Sequence, residues 1–483
     1  MIEMRWLVKI SIILLLIGQI FGVSIARGPY LSCVSTSGIT ITFETDLPTI
    51  TGVRWATEDY WDIHSSFEHD SSELSFVSHH SVELGGLTPW TDYVYKVYTD
   101  DSESPIHYFR TAPDVFEPFS FVAYGDTRTN QSEHTTIANT ASSFGPQIVF
   151  NTGDLITDGN SWYGAFEWTS FFDAIAELAG NAPYYPAVGN HEDEVDSYFC
   201  PIFELPGNEQ WYSIDYSNCH FIILNNNTDY SPGSEQYAFV SSDLAAAYGH
   251  YSFIFVFFHR PPYTCGSEHS SNTTTRTTLC PLFETYGVSI VFNGHNHDYE
   301  RNYVNGVYYI VTGGGGAPLY GVSPESTWTI YAESCYHFCL IEVVGDSLHF
   351  TARYDDGTVF DEFSLISPLR INEQEISKPR LKLSARPNPF NSSVEISVSD
   401  GRGLVFQTLS NIEIYDLQGD MVYCRRGLLT SNDDLLKNRH REMSPTSRTF
   451  IWTPNETIAS GIYFVRATMK DGQSITKKIF YLK

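Results

Sequence analysis

Between residues 27 and 113, apolar and polar residues alternate in short runs, as in GITITFET (38–45) and YVYKVYT (93–99), with turn formers between them. Period two turns one face of each run to a core and the other to water, which predicts short strands stacked as a small β-sandwich. Past Pro113 the runs become wholly apolar and longer segments separate them. Phe166 to Leu178 carries its aromatic and aliphatic residues three and four apart, the spacing of a buried helix face. That mixture predicts a layered α/β domain over 114–368, closed by strands at 347–354 and 359–365. The polar stretch INEQEISKP (371–379) reads as part of a linker set at 369–382, and 383–483 as a last small β-sandwich module.

At the start of the chain, Arg5 and Lys9 precede an apolar run from Ile10 to Phe21, followed by the small residues Ser24 and Ala26. This predicts a signal peptide over 1–26, cleaved near Ala26; the run is shorter than the roughly 20 apolar residues that span a bilayer. The stretch LTPWTDY (87–93) puts Tyr93 where an immunoglobulin- or fibronectin-like sandwich keeps its tyrosine corner, a packing role.

With 483 residues, 42% hydrophobic and 18% charged, the chain suits several globular domains and excludes a disordered tail or a coiled coil. Asp and Glu outnumber Lys and Arg 57 to 28, and a formal charge of -29 argues against nucleic-acid binding. Export permits disulfides, and the eight cysteines contain no C-x-x-C pair of the kind a structural zinc site uses. Cys265 with Cys280 is the favoured pairing, free buried thiols the alternative.

Five apolar runs in the middle domain each end in a metal-binding residue type: FSFVAYGD (Asp126), QIVFNTGD (Asp154), YYPAVGNH (Asn190, His191), FIFVFFH (His259) and SIVFNGHNH (His295, His297). Loops at the carboxyl ends of strands converge on the ligand site of open α/β sheets, so this recurrence gathers these groups in one crevice. Any one alone reads as an Asx-turn, a helix cap or a hydrogen-bonded histidine. Together, two carboxylates, an amide and three imidazoles without a thiolate suit Zn, Mn or Fe. Six groups exceed the three protein ligands of one catalytic zinc, which predicts two metals sharing a carboxylate.

In order and spacing these blocks resemble the calcineurin-like metallophosphoesterases. HRPPY (259–263), HDYER (297–301), the opening RGPYL (27–31) and the preceding β-rich region narrow the resemblance to relatives of the purple acid phosphatases, over about 27–365. It implies an N-terminal fibronectin III-like domain (27–113) and, over 114–368, a four-layer α/β sandwich of two sheets with flanking helices in place of a doubly wound sheet. It also implies an acid phosphatase-like hydrolysis of small phosphorylated substrates by a metal-activated hydroxide, with phosphodiester or nucleotide hydrolysis as the alternative. Asp126 and His297 are expected at a first metal, Asp154 as the bridge, and Asn190, His259 and His295 at a second. His191 is expected to contact phosphate and assist the leaving group, and His269 to touch substrate.

Two positions depart from the family. Purple enzymes carry a tyrosinate ligand where this chain has Thr157, and other metallophosphoesterases a histidine where it has Arg128. The first metal, divalent or part of a mixed-valence pair, therefore lacks an evident fourth protein ligand, and Arg128 is a candidate to grip a phosphate oxygen. Finally, ARPNPFNSSVEI (385–396), IEIYDLQGDMV (412–422) and ASGIYFVRATMKDG (459–472) resemble C-terminal sorting domains of the type IX secretion system. That implies passage through the periplasm to the cell surface or medium, with the secretion machinery as partner.

Overall fold

The computed structural model describes residues 22–158, 164–192, 199–323, 326–367, 382–399, 409–418, 421–426, 447–469 and 474–483. The first 21 residues of the expected signal peptide and nearly all of the expected linker lie outside this set. The chain divides into two compact units, 1–370 and 371–483.

In the first unit, the N-terminal strands join one sheet in the order Ile25–Ser32, Gly38–Thr57, Asp92–Tyr98, His107–Arg110, with His69–Gly85 along the other edge of Gly38–Thr57. The run expected as one short strand at 38–45 thus continues for 20 residues, through register shifts around Thr49. The first half of that strand pairs with Ile25–Ser32 and the second with Asp92–Tyr98, so strands expected in two stacked sheets are linked by hydrogen bonds into one. Tyr93 is buried, and its hydroxyl accepts from the Thr88 amide at 2.9 Å. This sheet leans on the next domain: the Tyr30 ring stacks on Phe172 at 4.5 Å, and the Tyr95 hydroxyl donates to the Gly180 carbonyl at 2.8 Å.

Two further sheets follow. One has the order Val359–Ile366, Ser347–Tyr354, His337–Val344, Phe119–Tyr124, Ile148–Asn151, Tyr184–Pro186, its last three strands parallel. The other runs Thr329–Glu333, Tyr299–Val304, Val307–Thr312, Ile290–Asn293, Phe253–Phe257, Cys219–Ile223, Tyr212–Tyr216. Phenylalanines from both interlock: Phe121 meets Phe255 edge-on at 5.0 Å, and Phe150 stacks on Phe257 at 4.3 Å. Such pairs add roughly 0.5–1.5 kcal/mol each beyond the burial of their area. The helix expected at 166–178 forms as Gly164–Ala179 and packs with Gln131–Ser143 against the first sheet; Glu235–Ala247 covers the second through Val240 and Leu244.

The favoured disulfide is absent, for Cys265 and Cys280 are buried free thiols. The Cys265 thiol bonds with Thr329 and Glu300 and that of Cys280 with Tyr309, so flanking one loop in sequence does not aim the two at each other.

The second unit contains a three-stranded sheet (Lys382–Arg386, Val394–Ser399, Ser447–Trp452) and a four-stranded one (Met421–Arg426, Leu409–Tyr415, Gly461–Met469, Ser474–Tyr481). Val394, Ile396, Trp452, Ile414, Val465 and Ile479 share one buried cluster between them. Among the described residues, no helix is long and apolar enough to cross a membrane.

Candidate metal centre

Five apolar strands of the two facing sheets, Phe119–Tyr124, Ile148–Asn151, Tyr184–Pro186, Phe253–Phe257 and Ile290–Asn293, spend their side chains largely on the core and then end in a loop that carries a polar residue. Asp126 and Asp154 both sit at φ +56° and His295 at φ +71°, left-handed values that cost a non-glycine residue roughly 1–3 kcal/mol. Close approach of the loops needs glycine: a Cβ on Gly189 would collide with the Asp154 carboxylate, and one on Gly294 with that of Asp126.

These turns bring the predicted residues together. Donor atoms of Asp126, Asp154 and His297 form one buried group within 4.8 Å of one another, and those of Asp154, His259 and His295 a second. Asp154 belongs to both. Its Oδ1 lies 3.2 Å from His259 Nε2, and the same nitrogen is 3.1 Å from Asn190 Oδ1 and 3.2 Å from His295 Nδ1. On the other side, His297 Nε2 is 3.6 Å from Asp126 Oδ1. Backbone carbonyls fix the rings: His259 Nδ1 donates to Thr152 at 3.0 Å and His297 Nδ1 to Pro318 at 2.7 Å, which leaves each Nε2 facing the cluster. Where metal sites are concerned, this is the arrangement that sets an imidazole for ligation.

The electrostatics suit a cation. Burial pushes Asp126 well above the usual carboxylate range. For Asp154 burial acts the same way, but the charge and hydrogen bond of His259 outweigh it and hold that carboxyl low. Burial would depress His259, yet Asp154 foremost lifts it to about 9. His295 and His297 are lowered by burial to about 2 and about 4, so both stand neutral, as ligation requires. Buried carboxylates and imidazoles whose partners are mostly one another form a donor set that two divalent cations fit.

The three remaining candidates line the rim. His191 donates through Nδ1 to the Thr157 carbonyl at 2.6 Å and turns Nε2 to within 3.7 Å of Asp154 Oδ2. Arg128 lies at the first group, its Nε 3.6 Å from Asp154 Oδ2 and a terminal nitrogen 3.5 Å from His297 Nε2. The His269 ring stacks on His295 at 3.9 Å.

Sequence reasoning missed the residues that hold this frame. Glu192 is buried, and its carboxylate accepts from the amides of Asp154 (3.0 Å), Leu155 (2.7 Å) and Gly189 (2.7 Å), tying two site loops together. Asn296 clamps His269, accepting from its amide at 3.1 Å and donating to its carbonyl at 2.9 Å. Tyr320 stacks on His297 at 4.0 Å. The only signal for Glu192 was an acid placed directly after GNH.

The model of the calcineurin-like phosphoesterase family matches residues 119–299, the span that holds every one of these ligands. That span is therefore metallophosphoesterase-like, and the relatives it matches are purple acid phosphatases. Purple acid phosphatase 18 of Arabidopsis thaliana is 28% identical over 298 residues, covering 56% of this chain and 66% of that protein. A probable inactive purple acid phosphatase 1 of the same plant is 29% identical over 269 residues, covering 46% and 43%. The chain thus spans at most about two-thirds of these relatives. Among solved structures, a purple acid phosphatase from yellow lupin seeds superposes with a TM-score of 0.61 over 70% of this chain and 74% of that one, at 22% identity, a likeness of fold. In this phosphoesterase-like domain the loops that carry the donor residues come from both sheets, so the crevice lies at the parallel strand ends of two facing sheets.

Proposed function

We propose that the protein is an exported dimetal hydrolase of phosphoric esters, acting as an acid phosphatase-like phosphomonoesterase. The observation that carries this reading is the pair of buried donor groups joined through Asp154. Asp126, His297 and Asp154 would hold one cation, and Asp154, Asn190, His259 and His295 the other. Zn, Mn or Fe ions there would supply a nucleophilic water and neutralise charge on the phosphoryl oxygens. Arg128 turns its guanidinium toward the same space, suited to a phosphoryl oxygen. His191 Nε2 faces the site with its other nitrogen fixed, placed to give a proton to the ester oxygen as its bond to phosphorus breaks, while water supplies the new P–O bond and loses a proton to solvent. His269, with its backbone clamped by Asn296, presents its ring at the rim.

Export and sorting belong to this reading. The Arg5–Ala26 pattern supports a signal peptide, and the motifs in 385–396, 412–422 and 459–472 support a type IX sorting module in the second unit. An N-terminal domain of immunoglobulin or fibronectin type is supported by the Tyr93 bond to Thr88.

A rival is a binding protein on a decayed scaffold, since some relatives are named probable inactive phosphatases. The retention of Asp154, Asn190, His259, His295 and His297 opposes it, because a binding protein has no use for two such pockets. Metal analysis of the purified protein with assays on a monoester and a diester decides: about two metals per chain and faster monoester turnover are expected. A metal-free, inert protein would overturn the hydrolase reading, and faster diester turnover the monoesterase one.

A further inference from the structure

Beside the donor cluster, on the side of Arg128 and Thr157, lies a cavity of about 470 Å³. That falls in the range of roughly 300–1,000 Å³ common for small-molecule sites. Leu155, Ile156 and Phe171 line it and are buried, whereas Phe166 is exposed beside them. Arg128 and Thr157 belong both to this cavity and to the site: Arg128 reaches Asp154 and His297, and the Thr157 carbonyl fixes His191. Glu167 lies in the lining as well, but its Oε2 is taken up by the amides of Thr157 (2.9 Å) and Asp158 (3.1 Å).

Among the described lining residues, the permanent positive charge stands at the end next to the donor cluster, the wall beyond it is mostly apolar with neutral polar groups such as Gln131 and Ser170, and Glu167, the acid there, disfavours a second anionic group. We infer that this cavity is the leaving-group subsite and that it takes the apolar, preferably aromatic, alcohol of a phosphomonoester. The inference rests on the phosphoesterase reading. A phosphoryl group between the two donor groups and Arg128 would set its ester oxygen near His191 Nε2, with the attached ring against Leu155, Ile156 and Phe171. Substrates with a second phosphate, such as nucleoside polyphosphates, would place charge against Glu167 and be poor.

The test uses the full-length protein loaded with Zn(II) and two inert probes, 2-naphthylmethylphosphonate and methylphosphonate, with binding measured by calorimetry. The wild type is expected to bind the naphthyl probe about tenfold or more tightly than the methyl one, since the larger probe buries a further ring. Ser170→Trp, which fills the cavity, and Phe166→Ala, which removes an exposed wall, should each bring that ratio to within about threefold. Equal binding of both probes, binding of neither, or a ratio that survives both substitutions overturns the subsite. A clear naphthyl preference with no hydrolysis of 2-naphthyl phosphate keeps the subsite and overturns the hydrolase reading instead.

Discussion

Two buried histidines in this molecule, His259 and His220, stand between carboxylates, and each is lifted to about 9 against the downward pull of its burial. Their ring nitrogens are used differently. His220 gives Nδ1 to Asp215 at 2.7 Å and Nε2 to Asp243 at 2.9 Å, so the ring is saturated and pins the strand Cys219–Ile223 to the helix Glu235–Ala247. His259 gives Nδ1 to a backbone carbonyl and leaves Nε2 crowded by Asp154, Asn190 and His295. One proton on that nitrogen cannot satisfy three neighbours, whereas a cation can accept from all of them. A shifted pKa alone therefore does not mark a functional histidine; unspent donor atoms do.

If that distinction holds, the largest effects belong to the unsaturated cluster. Asp154→Ala removes the carboxylate common to both donor groups and should lower ester hydrolysis by on the order of a thousandfold or more, with metal content reduced. Circular dichroism should remain close to wild type. Activity within tenfold of wild type at unchanged metal content would defeat the two-cation assignment.

Next comes His191, which sits at the rim and contributes no atom to either donor group. His191→Ala should cost roughly 10²- to 10⁴-fold in turnover while both metals stay bound. The loss should shrink for an ester with an acidic leaving group; an equal loss for both kinds of ester would reassign His191 to phosphate binding.

How much of this was legible in the chain follows from which interactions are local. Strand ends marked by glycine and followed by Asp, Asn or His identified the donor residues, because a tight turn after an apolar strand is written in adjacent residues. Their distribution over two facing sheets was not local, since parallel strand ends look alike whichever sheet they join. Glu192 escaped because its meaning lies in amides from separate loops, which only the folded chain brings within reach. The long strand Gly38–Thr57 was read short because the polar 44–46 and Pro48 interrupt the alternation where the backbone merely shifts register. Flanking a loop was likewise a poor guide for Cys265 and Cys280, whose thiols answer to different neighbours.

A smaller effect concerns the asymmetry between the two donor groups. Arg128 places a permanent positive charge beside Asp154 and His297, at the group that also lacks an evident fourth protein ligand. Thr157 is neutral and directs its carbonyl to His191, so a colourless protein with a divalent ion at this site is expected. In a chelator titration this site should empty before the second one. Arg128→Gln should tighten it by at least about tenfold, the effect of losing one charge roughly 6 Å from a divalent ion even under the full screening of water. A strong visible band that vanishes on reduction, or an order of emptying that Arg128→Gln leaves untouched, would remove the asymmetry.

The smallest expected effect tests the saturated histidine. His220 is raised from an ordinary value of about 6.5, so its contribution to stability is fully present below that pH and is lost as pH rises through about 9. Asp215 is held low by His220 against the opposing effect of burial, so its share appears above the ordinary carboxylate range and fades on acidification. The cluster should thus help most between about pH 5 and 6.5. Its worth is on the order of 2 kcal/mol, discounted because the Asp215 side chain is 57% exposed and screened by solvent. His220→Gln, which occupies similar space and carries no charge, should lower the melting midpoint by about 3–5 °C at pH 5.5. At pH 9.5 the gap from wild type should be less than half as large. Activity per metal-loaded chain should not change, because His220 spends both nitrogens on carboxylates of the outer elements and none on the donor cluster. A gap that stays constant from pH 5.5 to 9.5 would mean that His220 acts by packing alone, and the contrast with His259 would then rest on geometry without charge.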